Sequence, residues 1–117
     1  MKNIEDVLTT LEKIAEEDTR YNFEAYTFLM SALNYTVNKL DKPRHVTGQE
    51  LLEGIREYGL EQFGPMTRTV FEHWGIKATE DFGRIVFNLV DVGLLGKTEQ
   101  DSINDFKNIY DFKEVFG

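Results

Sequence analysis

Two histidines, four glutamates at helical spacing, a Gly-Lys-Thr triplet and an Asp-Phe-Gly triplet carry most of the chemical potential of this 117-residue chain. His45 and His73 are the only histidines, and neither stands in a Glu-x-x-His or His-x-x-x-His pattern. A zinc-binding helix or a carboxylate-bridged metal pair needs such spacing, because its ligands must project from one helix face. His73 falls in the last turn of a predicted helix, where imidazolium interacts well with the dipole. His45 stands just before another helix start, as a polar contact. Glu50, Glu53, Glu57 and Glu61 form one helical stripe, and without partner ligands they read as a solvated face. Gly96-Lys97-Thr98 ends like a phosphate-binding loop. Asp91 stands where that motif needs its first glycine, and the triplet follows a helix rather than a strand, so it reads as an ordinary turn. Asp81-Phe82-Gly83 lacks every other kinase element. There Asp81 suits the positive end of a helix and Phe82 points to the core. The chain has no cysteine, which excludes disulfides and thiolate chemistry. No serine or threonine is signalled beside a histidine and an acid. No catalytic residue, cofactor or metal site is expected.

The elements that position these residues are helices with well-marked ends. Ile4, Val7, Leu8, Leu11, Ile14 and Ala15 recur at helical spacing, with Asn3 as the cap. Tyr26, Leu29, Met30, Leu33, Val37 and Leu40 repeat the pattern in a helix predicted from about Phe23 to Leu40, capped by Asn22. The short joint at Asp18–Tyr21 makes residues 1–40 an N-terminal helical hairpin. Asp41 to Val46, with Pro43, is a linker within a single domain. Thr47-Gly48-Gln49-Glu50 is a capping box, and Leu51, Leu52, Ile55, Tyr58 and Phe63 give the third helix its apolar side. Gly54 and Gly59 lie inside that helix at a cost of about 1 kcal/mol each, which implies close packing. Gly64-Pro65 starts a short fourth helix holding Met66, Val70, Phe71 and Trp74, and Gly75 follows as its left-handed terminator. Thr79 caps the fifth, whose apolar face is Phe82, Ile85, Val86, Leu89 and Val90, and Gly93 ends it. Residues 44–117 are thus a three-helix block with a C-terminal tail. Phe106, Asn108, Tyr110 and Phe112 alternate as a strand would, although Ser102 or Asp101 would also suit a capped turn. Phe112, Val115 and Phe116 dock the end of the chain onto the body.

The fold class is mainly α, a compact five-helix domain. Two architectures fit: a helical bundle with an irregular tail, or a winged helix whose wing is a C-terminal β-hairpin after Gly93. In the winged helix the fifth helix would read DNA. Its outer face presents Glu80, Arg84, Asn88 and Asp91, with Phe87 near the edge. The wing would carry Lys97 and Lys107 against Glu99, Asp101 and Asp105. Net charge is −8, and both 1–43 and 44–117 are acidic, so neither nucleic acid nor an anionic membrane is favoured as partner. The first residues lack a signal peptide's apolar run and no stretch reaches membrane-spanning length, so a cytoplasmic location is expected. Nine Phe, five Tyr and one Trp make the core aromatic-rich.

The stretch Arg44 to Arg56 resembles the signature of the Minf family of short bacterial proteins of unknown function. The resemblance continues through Tyr35-Thr36-Val37, Gln62 to Met66, Glu72-His73-Trp74-Gly75, Asp81-Phe82-Gly83, Ile85 to Leu89, Asp105-Phe106 and Tyr110-Asp111-Phe112. It implies a bacterial origin and a compact single domain, and no transferable activity. By residue type the candidate interaction surface is Arg44, His45, Gln49, His73, Trp74, Arg84 and Phe87. The expected function is a protein-interaction or regulatory module, binding another protein or itself. A winged-helix nucleic-acid binder is the alternative. A further one is a small-ligand protein or enzyme with its site near His45, His73 and Trp74.

Overall fold

The computed structural model describes residues 4–98 and 100–117. Asn3 as a cap, Glu99 in a wing and the side chain of Ile4 lie outside the described residues. Five main helices run in order: α1 (Ile4–Glu17), α2 (Phe23–Asn38), α3 (Gly48–Phe63), α4 (Thr67–His73) and α5 (Thr79–Asp91). A short terminal helix, α6 (Phe112–Phe116), follows, and single 3-10 turns cover Gly64–Met66 and Ile103–Phe106. The Cα radius of gyration is 13.7 Å, against about 13 Å for one compact domain of this size.

Helix ends follow from local chemistry. The Asn22 side chain accepts from Glu24 N at 3.0 Å. Thr47 and Glu50 close their capping box, with Thr47 N donating to Glu50 Oε1 at 3.0 Å and Glu50 N to Thr47 Oγ1 at 3.2 Å. Gly75 adopts φ +90° after α4, and a side chain there would also strike the Arg20 carbonyl oxygen. Thr79 does not cap α5 as its type suggests. It is the first helical residue, because Asp81 Oδ2 reaches back to Lys77 N and Ala78 N at 2.8 and 3.2 Å. The Thr79 hydroxyl is thereby free to accept from Ile109 N at 3.2 Å, tying the tail to α5.

Helix α2 is the central rod and packs on α1, α3 and α5. Ala25, Tyr26, Phe28, Leu29 and Ala32 are all buried on one broad face, while Glu24, Ser31, Asn34 and Asn38 are exposed on the opposite one. Gly54 lets α3 approach α2 at Thr36, and Gly59 makes room for Phe71 and Thr67. One hydrophobic cluster links the described helices α1 to α6, with the rings of Phe28 and Trp74 each in contact with Phe63, Phe71 and one another. Each such aromatic contact adds about 0.5–1.5 kcal/mol beyond area burial. Two residues assigned to apolar faces stand outside this core: Leu8 is 40% exposed and Met66 55%.

The tail overturns the winged-helix alternative. No strand occurs among the described residues, so there is no C-terminal β-hairpin and no wing. The cause is side-chain competition for backbone donors. Asp101 accepts from Thr98 N, Asp105 from Ser102 N, Ser102 from Asn104 N, and Asp111 from Lys113 N. Each bond curls the chain on itself, and Asn108 at φ +53° breaks any extended run. Phe112 and Phe116 are buried against Phe71, so the end of the chain docks as expected. No described helix is long and apolar enough to cross a membrane.

Candidate functional site

The tail also makes a cleft of about 370 Å³. Its first wall is Leu33 and Val37 on α2, its second Val46, Thr47, Gly48 and Leu51 at the start of α3, and its third Val86 and Phe87 on α5. Residues Leu95 to Thr98, with Asp101, Asp105 and Phe106, complete it. Two small residues set this geometry. A Cβ on Gly83 would lie 2.8–3.0 Å from Phe106 side-chain atoms, and one on Gly48 would lie 3.1 Å from the ring. Phe106 is therefore seated directly on the backbones of α3 and α5, fully inside the protein. At the other end of the segment, Leu94 N and Leu95 N donate to Leu89 O at 3.0 and 3.3 Å. The chain between these anchors arches beside the helices instead of filling the space.

The cleft has apolar walls and a charged rim. Arg44 makes a bidentate pair with Glu50, at 2.9 and 2.6 Å, and also donates to His45 O at 3.0 Å. That guanidinium is the main cause of the low Glu50 carboxyl, lowered to about 2. His45 Nε2 lies 2.6 Å from Asp101 Oδ2. The Thr98 backbone N–H, donating at 2.7 Å, does most to hold the Asp101 carboxyl below its usual range, and His45 adds to it. Lys97 and Asp105 also line the rim.

The structure brings together only part of the predicted surface. Arg44, His45 and Phe87 all line the cleft. Gln49 is exposed at the first turn of α3 and does not line it. His73 is exposed at the end of α4, whereas Trp74 is buried among Phe28, Phe63 and Phe71 and edges a separate shallow depression. A site joining His45, His73 and Trp74 is therefore corrected: the cleft takes in His45 and neither of the others. Arg84 pairs with Asp81 at 2.9 Å, and Asp81 also accepts from Tyr21 Oη at 2.5 Å. Asn88 donates to Asp18 and to Tyr26. The α5 face that a winged helix would turn to DNA is thus partly covered by the α1–α2 joint. Phe87 is a half-buried wall of the cleft.

Sequence reasoning missed Lys97, Thr98, Asp101 and Phe106 as site residues. Their signal was present in the Gly-Lys-Thr turn followed by Asp101-Ser102, which marks a curled segment, and in the small residues Gly48 and Gly83 at helix starts. On α3, Glu50, Glu53 and Glu57 pair with Arg44, Arg56 and Lys39, as a solvated ionic face does. No group of three or more His, Asp or Glu among the described residues is placed to hold a metal ion. Comparison with family models, curated proteins and solved structures finds no match for this chain.

Proposed function

We propose that the protein is a binding domain whose cleft holds a small amphipathic molecule. The apolar body of the ligand lies between α2, α3 and α5, and its polar end meets the rim at Arg44, His45, Lys97 and Asp101. The observation that carries this reading is the cleft itself: about 370 Å³, within the roughly 300–1,000 Å³ common for small-molecule sites. Apolar walls with a few converging polar groups are the usual composition of such sites. A partner protein is less well supported. The most exposed large apolar side chains, Leu8, Met66, Ile103 and Ile109, stand on separate elements, as isolated surface residues commonly do.

Nile red, an uncharged apolar dye, tests the proposal. The wild-type chain takes up one dye molecule with saturable fluorescence. Val86→Trp and, separately, Val37→Trp place an indole in the cleft and abolish uptake, while far-ultraviolet circular dichroism stays unchanged. Equal uptake by the filled variants, or none by the wild type, rejects the cleft as a binding site.

A further inference from the structure

We infer that His45 and Asp101 form a proton-controlled clasp across the mouth of this cleft, slowing exchange of its ligand at mildly acidic pH. The inference rests on the binding role proposed above and adds its regulation. The two residues line the cleft from different segments of the chain. His45 precedes α3, and Asp101 lies in the tail. Between Gly96 and Asp105, their contact at 2.6 Å is the one polar side-chain tie to the rest of the protein among the described residues. The other holds on this segment lie at its ends, at Phe106 and at the Leu94–Leu95 backbone. A change in the central tie therefore acts where the segment is least restrained.

The chemistry suits a contact that depends on a proton. Imidazole is the side chain whose charge changes between about pH 5 and 8. His45 is 44% exposed, so its proton exchanges freely with solvent. The charged and titratable groups around it are Arg44 on its own segment, Glu50 on α3, and Lys97, Asp101 and Asp105 on the tail. The lining residues from α2 and α5 are apolar and carry no competing charge. Arg44 is engaged by Glu50, and Asp105 accepts from Ser102 N. Asp101 stays ionised through the whole range, because its carboxyl lies below the ordinary value. With His45 protonated the contact is an ion pair; with His45 neutral it is at most an uncharged donor to the carboxylate.

Stopped-flow release of Nile red tests the clasp, since the dye does not ionise in this range. Release from the wild type is about two- to fivefold slower at pH 5.5 than at pH 8, the change an exposed ion pair supports. His45→Gln and Asp101→Asn each release quickly at both pH values. A second readout needs no ligand: the Asp101 amide resonance follows an imidazole titration in the wild type and not in His45→Gln. A flat wild-type release profile, or the same profile in His45→Gln, overturns the clasp and leaves the cleft as a binding site. An Asp101 amide that ignores the titration also overturns it. Dye uptake that survives Val86→Trp overturns the cleft and the clasp together.

Discussion

Gly54→Ala is the sharpest test of how α2 and α3 are held together. In an ordinary helix interior alanine is favoured over glycine by about 1 kcal/mol. At this site a Cβ would overlap the Thr36 hydroxyl oxygen and lie 3.0 Å from Thr36 Cβ and 3.3 Å from its Cγ2. Rotating Thr36 does not fully relieve the site, because its Cβ stays 3.0 Å from the added methyl in every rotamer. Its hydroxyl also donates to Ala32 O at 2.8 Å, a bond worth about 0.5–1.5 kcal/mol. Parting the helices adds an overpacking cost of about 1–3 kcal/mol. Net of the propensity gain, Gly54→Ala destabilises by about 0.5–3.5 kcal/mol. In a Thr36→Ala background the hydroxyl overlap disappears and only the tight 3.0 Å approach of the two Cβ atoms remains, so the same substitution costs about 1–3 kcal/mol less. Urea unfolding of the four chains gives the coupling directly, expected at about 1–3 kcal/mol. Equal effects of Gly54→Ala in both backgrounds would refute the steric argument.

Three further outcomes follow from the same geometry. Gly83→Ala drives a Cβ into Phe106, costing about 1–3 kcal/mol and weakening dye uptake. Gly96→Ala, which meets nothing within 4 Å, changes neither; calorimetry and dye titration compare them. The Asp18 carboxyl is held well below its usual value, chiefly by hydrogen bonding to Arg20, with help from Asn88. Its stabilisation is complete above the ordinary carboxylate range and is lost as pH falls through the lowered value, so Asp18→Asn flattens the acid limb of a stability profile. The Tyr21 phenol is pushed up to about 12 by burial and by its bond to Asp81. The fold favours the neutral phenol, so this contribution is complete below about pH 10 and is lost toward about pH 12. Tyr21→Phe removes that alkaline decline in urea titrations.

Helix starts and stops were legible in the sequence wherever one residue had one local task. Asn22, Thr47 and Gly75 act through their own neighbouring backbone, and types alone suffice for that. Thr79 was misread because the competing acceptor, Asp81, lies within the helix and reaches backward. The tail was misread for a different reason. Phe106, Asn108, Tyr110 and Phe112 mimic strand alternation, yet each aromatic docks on a separate partner. Phe106 seats on Gly48 and Gly83, the Tyr110 hydroxyl donates to Leu52 O, and Phe112 meets Phe71 and Phe82. A period of two in sequence then reflects three tertiary contacts and no sheet. The candidate site was legible only at Arg44, His45 and Phe87. Trp74 was chosen for its type, but a large aromatic flanked by Phe28, Phe63 and Phe71 stabilises the core. The cleft itself depends on where the tail crosses the helices, which no local pattern encodes.

The open cleft has an energetic consequence that separates a binding site from a packing accident. Leu33, Val37, Val86 and Phe87 line it while remaining only half-buried. Apolar area left beside water forgoes about 25 cal/mol per Å² of stabilisation. A chain selected for stability alone would fill the space with one larger side chain, since cavity-filling changes commonly add about 0.5–2 kcal/mol. Val86→Trp therefore raises the melting temperature as it removes dye uptake, a gain in stability at the expense of binding. The two readouts move in opposite directions only if the indole occupies the same volume as the ligand. A lower melting temperature with uptake intact would mean that the helices close around position 86 and that the cleft is not a preformed space.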